Sequence, residues 1–182
     1  MAANPTTLSG LARLMVQQNK LSLVDADAIQ IQANAANLSI VQQLIASKKL
    51  SALHVAEFAA NAFGLPLLDL EAIAPEYIPK GSLDNKLMQS QRIVPLYKRG
   101  NRLFVGVSDP ANHRALDDAK FQSSMAIEPI VVEDGKIGKL IERLVEASGA
   151  NLQNLSTDDF DLNLPDQDAP DDSGDLSAGE VD

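Results

Sequence analysis

The chain has 182 residues, with 15 Lys and Arg against 25 Asp and Glu, no Cys, no Trp and two His. The acidic excess sits in residues 151–182, which hold nine Asp, one Glu and no basic residue; residues 1–150 balance at 15 acidic and 15 basic. A neutral, Cys-free body without a basic block excludes a disulfide scaffold, a thiolate nucleophile and a phosphate-neutralising nucleic-acid surface, and no apolar run approaches the roughly 20 residues that span a bilayer.

Residues 1–7 read as frayed. The first residues lack the basic and apolar regions of a signal peptide, so the cytoplasm is the expected compartment. From Leu8 to Phe63 the apolar residues recur with helical period. Ser9, Ser22, Ser39 and Ser51 each precede such a stretch as a helix N-cap does. The pattern predicts four helices at 10–19, 23–36, 40–48 and 52–63, the last stopped by Gly64 and Pro66. Lys20-Leu21-Ser22 recurs 29 residues later as Lys49-Leu50-Ser51. At that shift Leu11 falls on Ile40, Met15 on Leu44, Val16 on Ile45 and Val24 on Leu53. Each unit is a helix, a polar turn and a second helix, and two units must pack together because neither buries its apolar face alone. The second helix carries Val24, Ala28, Ile31 and Ala35 on one side and Ala26, Ile29, Ala33 and Ala36 on the other, which predicts close packing from both sides.

The pattern changes after Pro75 and Pro79. A short helix capped by Ser82 is expected over 82–90. Strands at 92–98 and 102–108 are joined by Arg99-Gly100-Asn101, with Gly where positive φ is needed. Asp109-Pro110 is expected to cap a helix running to about Ser123. A third strand over 126–132 is interrupted by Pro129, and 134–148 reads as an amphipathic helix with Ile137, Leu140, Ile141, Leu144 and Val145 in one stripe. The fold class is therefore α+β: an all-helical repeat subdomain of two helix-turn-helix units over 8–63, a small α+β subdomain over 64–150, and an acidic disordered linker over 151–182.

Chemistry has little support. His54 and His113 stand apart, with no nucleophile-elbow motif and no set of metal ligands. Gly135-Lys136-Ile137-Gly138-Lys139 superficially suggests a phosphate loop. Its glycines are two residues apart rather than four, and Leu140 stands where a Ser or Thr should hold magnesium. No catalytic residue, metal or cofactor is expected. Asp109, Asp117 and Asp118 read as a cap and a solvated helix face.

LSGLARLMVQQNKLS, the duplication, FGLPLLDL at 63–70 and RIVPLYKRGNRLFVGVSDPANHRALDDAKF at 92–121 together resemble the N-terminal region of the PilB family of type IV pilus assembly ATPases, related to the type II secretion ATPases of the GspE type. The resemblance covers roughly 8–150 and implies a non-catalytic fragment of a homo-hexameric motor whose ATPase core is not in this sequence. It implies a location at the inner face of the cytoplasmic membrane. In relatives such as MshE the helical repeat, the MshEN domain, binds cyclic di-GMP through two motifs opening with Arg-Leu-Gly and carrying a later Gly. In register, the Arg positions fall on Gly10 and Ser39, the first Gly positions on Ala12 and Val41, and the later ones on Asn19 and Lys48. All six depart from the pattern, and with both guanidinium groups gone the charge-assisted nucleotide contacts go too; Arg13 could replace one of them.

The resemblance therefore implies regulation through a partner: a PilZ-type adaptor that links the motor to a cyclic di-GMP receptor and so to pilus biogenesis. Leu8, Leu11, Leu14, Met15, Gln18, Leu21, Leu44 and Leu50 are the expected partner-binding residues, on an apolar helical surface too broad for a small bundle to cover. The alternative is a direct cyclic di-GMP sensor.

Overall fold

The computed structural model describes residues 7–158, and side chains as far as 149. Four helices come first: α1 (Gly10–Gln17), α2 (Leu23–Ala36), α3 (Ile40–Ala46) and α4 (Ala52–Phe63). Each begins at the serine expected to cap it. The side chains of Ser9, Ser22, Ser39 and Ser51 accept from the backbone N–H groups of Ala12, Asp25, Gln42 and His54. Ser39 and Gln42 close a reciprocal capping box. α4 ends at Gly64 with φ +64.

α1 and α3 stop two residues earlier than their apolar pattern suggests. Asn19 and Lys48, equivalent positions of the repeat, both adopt left-handed backbone with φ 56 and 58. These are the two positions where the resembled motifs carry Gly. Asn tolerates this conformation, whereas a Lys side chain makes it cost about 1 kcal/mol. The repeat is thus real in backbone geometry, although the residue that would have announced its turns is absent.

Short 3-10 turns at Leu70–Ala72 and Pro75–Tyr77 lead to α5 (Asn85–Gln91), the antiparallel hairpin β1 (Ile93–Arg99) and β2 (Arg102–Val107), then α6 (His113–Ser123), β3 (Ala126–Val131) and α7 (Asp134–Asp158). The sheet order is β1-β2-β3, with β3 parallel to β2. Gly100 turns the hairpin with φ +57. This is the α+β architecture expected.

Three further boundaries differ from the sequence reading by more than one residue. Asp84, not Ser82, caps α5 by accepting from the Leu87 N–H. Asn112, not Asp109, caps α6; Asp109 accepts from the Ala111 N–H two residues on, and this turn delays the helix past Pro110. Burial holds the Asp109 carboxyl above its ordinary pKa. α7 runs to Asp158, beyond the end expected at Ser148, because no proline interrupts it before Pro165. Of the disordered linker expected over 151–182, residues 151–158 instead belong to α7; the rest of it, and the frayed start expected at 1–7 apart from residue 7, lie outside the described residues.

Residues 7–148 pack as one compact unit with two cores. The helical core is built on Leu11, Met15, Leu21, Ile29, Val41, Leu44 and Val55; the other on Leu87, Ile93, Val94, Leu103, Val105, Ile137 and Ile141. Val131 belongs to the first and its neighbour Val132 to the second. The second core is closed by an ion pair. Arg92 donates from Nε to Asp134 Oδ1 at 2.9 Å and from Nη2 to Oδ2 at 2.8 Å, and Nη2 also reaches the Asp134 carbonyl oxygen at 3.0 Å. A side chain at Gly138 would place its Cβ 3.0 Å from Arg92 Nη2, so glycine leaves room for the guanidinium.

Two consequences are measurable by urea denaturation of the full chain. Arg92→Met leaves Asp134 buried and unpaired and should lower stability by about 3 kcal/mol, with Arg92→Lys recovering only part because a point charge cannot reproduce the fork. Lys48→Gly should instead stabilise by about 0.5 kcal/mol, the relief of left-handed strain slightly exceeding the added unfolded-state freedom.

Candidate functional site

The eight residues expected on a partner surface divide sharply. Leu11, Met15, Leu21 and Leu44 are buried in the helical core. These four cannot present an open surface, and their assignment is corrected: the small repeat does cover its main stripe, because α1 lies against α2 while α3 packs on both α2 and α4. Leu8 and Leu50 are half-buried against the same core. Leu14 is half-buried and Gln18 exposed.

Three of the eight meet in one groove. Met15, Gln18 and Leu50, joined by Lys20, His54, Glu57, Phe58 and Asn61, line a concavity of about 320 Å³ between the end of α1 and the outer side of α4. Half-buried Leu50 and Phe58 supply an apolar floor, with Met15 fully buried beneath it. Gln18, Lys20, Glu57 and Asn61 form an exposed polar rim, and His54 is fixed on it by its Nδ1, 3.0 Å from the Ser51 hydroxyl. Sequence reasoning missed the α4 contribution. The signal was present in His54, Glu57, Phe58 and Asn61, which recur at helical spacing, but nothing in the sequence says which earlier helix they meet.

The second helix also differs from expectation. Ala26, Ile29 and Ala33 are buried, but Val24, Ala28, Ile31 and Ala35 are all exposed, so α2 packs from one side and not from both. Val24 is 78% exposed and Ile31 55%. Leu53, the repeat equivalent of Val24, is likewise exposed.

The positions aligned with nucleotide-binding arginines are poorly placed to take one. At Gly10 a Cβ would stand 2.9 Å from the Ala111 Cβ, so the start of α1 abuts the loop before α6. Ser39 has both its hydroxyl and its N–H engaged in the capping box. Ala12 and Val41 are buried. Arg13 is exposed and donates to the Leu8 carbonyl oxygen at 3.4 Å.

A larger concavity of about 640 Å³ lies between residues 70–75 and the start of α7. Its central cation, Lys136, is held by Asp69 at 2.9 Å, Glu133 at 3.2 Å and Glu71 at 3.8 Å. The hydrogen bond from Lys136 keeps the Asp69 carboxyl below the ordinary carboxylate range, and Asp69 and Glu133 in turn push Lys136 upward. This network ties α7 to the preceding turn, so the glycine-lysine run opens a helix instead of cradling phosphates. Among the described residues no group of three His, Asp or Glu could hold a metal ion, and no helix is long and apolar enough to cross a membrane.

Comparison with known proteins agrees with this architecture. Residues 63–151 match the MshEN domain, so the match falls on the α+β part and not on the helical repeat to which the sequence reading gave that name. The type IV pilus assembly ATPase PilB of Pseudomonas aeruginosa is 43% identical over 155 residues, 85% of this chain and 27% of the relative. The chain thus spans about a quarter of that relative's length. Two solved structures, each 20% identical, share the fold: MshE with cdg (cyclic di-GMP), TM-score 0.55 over 74% of this chain and 97% of that one, and the N-terminal domain of XpsE, TM-score 0.59 over 73% and 92%. With these likenesses across most of its described length, the chain is similar to the N-terminal region of the type IV pilus assembly ATPase PilB and carries a match to the MshEN domain over 63–151.

Proposed function

We propose that this region is a non-catalytic, regulatory part of a pilus extension motor, and that it receives a PilZ-type adaptor which couples a cyclic di-GMP receptor to pilus biogenesis. The observation that carries this reading is the groove between α1 and α4. Its floor of Leu50 and Phe58, over the buried Met15, inside a rim of Gln18, Lys20, Glu57 and Asn61 has the layout of a binding hot spot: apolar centre, polar edge, few residues. An adaptor side chain inserted there removes water from the floor and contacts two helices at once, while Leu14 extends the apolar surface along α1. In the whole protein this region would belong to a homo-hexameric ATPase working at the inner face of the cytoplasmic membrane, with the helical part (8–63) receiving the partner and the α+β part (64–150) leading to the motor.

A second reading, direct cyclic di-GMP binding, is favoured by the likeness to MshE with cdg. Against it stand Gly10 and Ser39. Neither offers a guanidinium, and the backbone at Gly10 is too close to Ala111 for a larger residue.

The two readings separate in titrations of the full chain. Calorimetry with a purified PilZ-type adaptor should give saturable binding, and Leu50→Glu should weaken it by about tenfold or more, as burial of an unpaired charge requires. Asn61→Arg, at an exposed position on the rim, should obstruct the same groove with far-UV circular dichroism unchanged. Absence of adaptor binding, or indifference to both substitutions, defeats the proposal. Cyclic di-GMP alone should give no saturable heat. Gly10→Arg should not create a binding site but should lower stability by about 1–3 kcal/mol through overpacking against Ala111.

A further inference from the structure

The repeat itself shows what the α1–α4 groove lacks. Positions 29 residues apart are equivalent, and in one half of the repeat they are clasped together. There α3 packs on α2, Lys49 pairs with Asp25 at 2.8 Å, and Gln43 donates to Gln32 at 2.8 Å. The Ser22 hydroxyl also donates to Asp25, at 2.9 Å. The bonds from Lys49 and Ser22 hold the Asp25 carboxyl below the ordinary carboxylate range. Beneath this clasp Leu21 and Ile29 are buried.

The groove is lined by the same positions of the other half. Leu50 is the equivalent of Leu21, and Phe58 of Ile29, yet both stay half-buried. Lys20 repeats Lys49, but His54 stands where Asp25 should answer it. His54 rests against the Ser51 hydroxyl at 3.0 Å, as Asp25 rests against Ser22, so it holds the acid's place without its carboxylate. The second link is missing too: Asn61 replaces Gln32, but Leu14 replaces its donor Gln43. Correspondingly, α1 packs on α4 less extensively than α3 does on α2. Glu57 on the rim does not take over the acid's role, because among the described residues Lys20 forms no ion pair.

A lysine kept in the clasping position with its acid removed is poised to receive an acid from elsewhere. We propose, on the adaptor-binding reading of this groove, that it is an open clasp whose missing carboxylate comes from the docked adaptor: an Asp or Glu side chain pairs with Lys20 beside an apolar side chain seated on Leu50 and Phe58. The ion pair lies on the exposed rim, so it fixes the register of the docked segment while the apolar floor carries most of the affinity. Glu57, one turn further along α4, repels a second acid and gives the groove a direction.

Calorimetry of the full chain with a purified PilZ-type adaptor tests this. Lys20→Gln, at an exposed position, should weaken binding about threefold to fivefold and flatten its dependence on salt. His54→Asp restores the acid at its repeat position. The introduced carboxyl should titrate below the ordinary carboxylate range by NMR, and the closed clasp should weaken adaptor binding. Uncharged His54→Asn should leave Lys20 free and binding close to wild type. Binding indifferent to Lys20→Gln, an introduced carboxyl that titrates normally, or equal weakening by His54→Asn overturns the open clasp and leaves the adaptor groove standing. A wild-type chain that does not bind the adaptor defeats both.

Discussion

The arrangement of the molecule turns on the end of one strand. In an extended chain successive side chains point to opposite faces, so Val131 and Val132 can enter two different cores, and they do. Val131 is enclosed among the helices of the repeat, and Val132 beneath the sheet. The backbone is held from both sides as well. Val131 N–H donates to the Pro66 carbonyl oxygen and its own carbonyl oxygen accepts from Leu68 N–H, each at 2.9 Å, while Val132 N–H donates to the Val107 carbonyl oxygen at 3.0 Å. Two residues further on, Asp134 is gripped by Arg92. Val131, Val132 and Asp134, within four positions, thus fasten the helical repeat, the sheet and the start of the last helix to one another. Each buried valine contributes about 1.5–2 kcal/mol, and neither can be withdrawn without opening a core.

This junction bears on how a partner could act through the region. A ligand shifts a conformation only by as much as it binds two arrangements differently. With Val131 fully enclosed by the helices, movement of α4 against the sheet must be accommodated at 66–68 and 131, and next at the Arg92–Asp134 pair where α7 begins. On the proposed reading, an adaptor wedged against α4 would bias that joint. The coupling would then run through packed side chains and main-chain hydrogen bonds, which switch between discrete arrangements more readily than they stretch.

What the sequence disclosed and what it hid follow from range. Capping is local: a serine hydroxyl needs only the N–H three residues on, so all four helix starts of the repeat could be read directly. The duplication survived in apolar positions because core packing constrains them. The turns at Asn19 and Lys48 were hidden because neither residue advertises positive φ as glycine does. The Asn112 cap was hidden by the stronger-looking Asp109-Pro110. Arg92 and Asp134 are 42 positions apart, and no local pattern joins them. The partner surface was misread for a related reason. Met15, Leu11, Leu21 and Leu44 are apolar at helical spacing whether they face a core or an interface, and only the packing of α1, α2, α3 and α4 decides between the two. The same ambiguity ran the other way on α2, where a stripe taken for a second core face proved open to solvent.

The charge balance of the folded part bears on the proposed recognition, which rests chiefly on apolar contact. Several of its carboxylates and cations are drawn into pairs: Asp25 with Lys49 across the repeat, Arg92 with Asp134 at the head of α7, Lys136 with Asp69 and Glu133 beside it. A charge already neutralised at 3 Å has little field left for steering an approaching partner, and at physiological ionic strength what remains fades within about 8 Å. The groove and the α2 stripe instead offer exposed methyl and methylene surface whose burial is favourable and insensitive to salt. On the proposed reading, discrimination between partners comes from shape: which side chain fills the hollow over Met15. Shape of this kind is intolerant of a single misplaced charge, because an unpaired carboxylate in that groove costs more than any one apolar contact there returns.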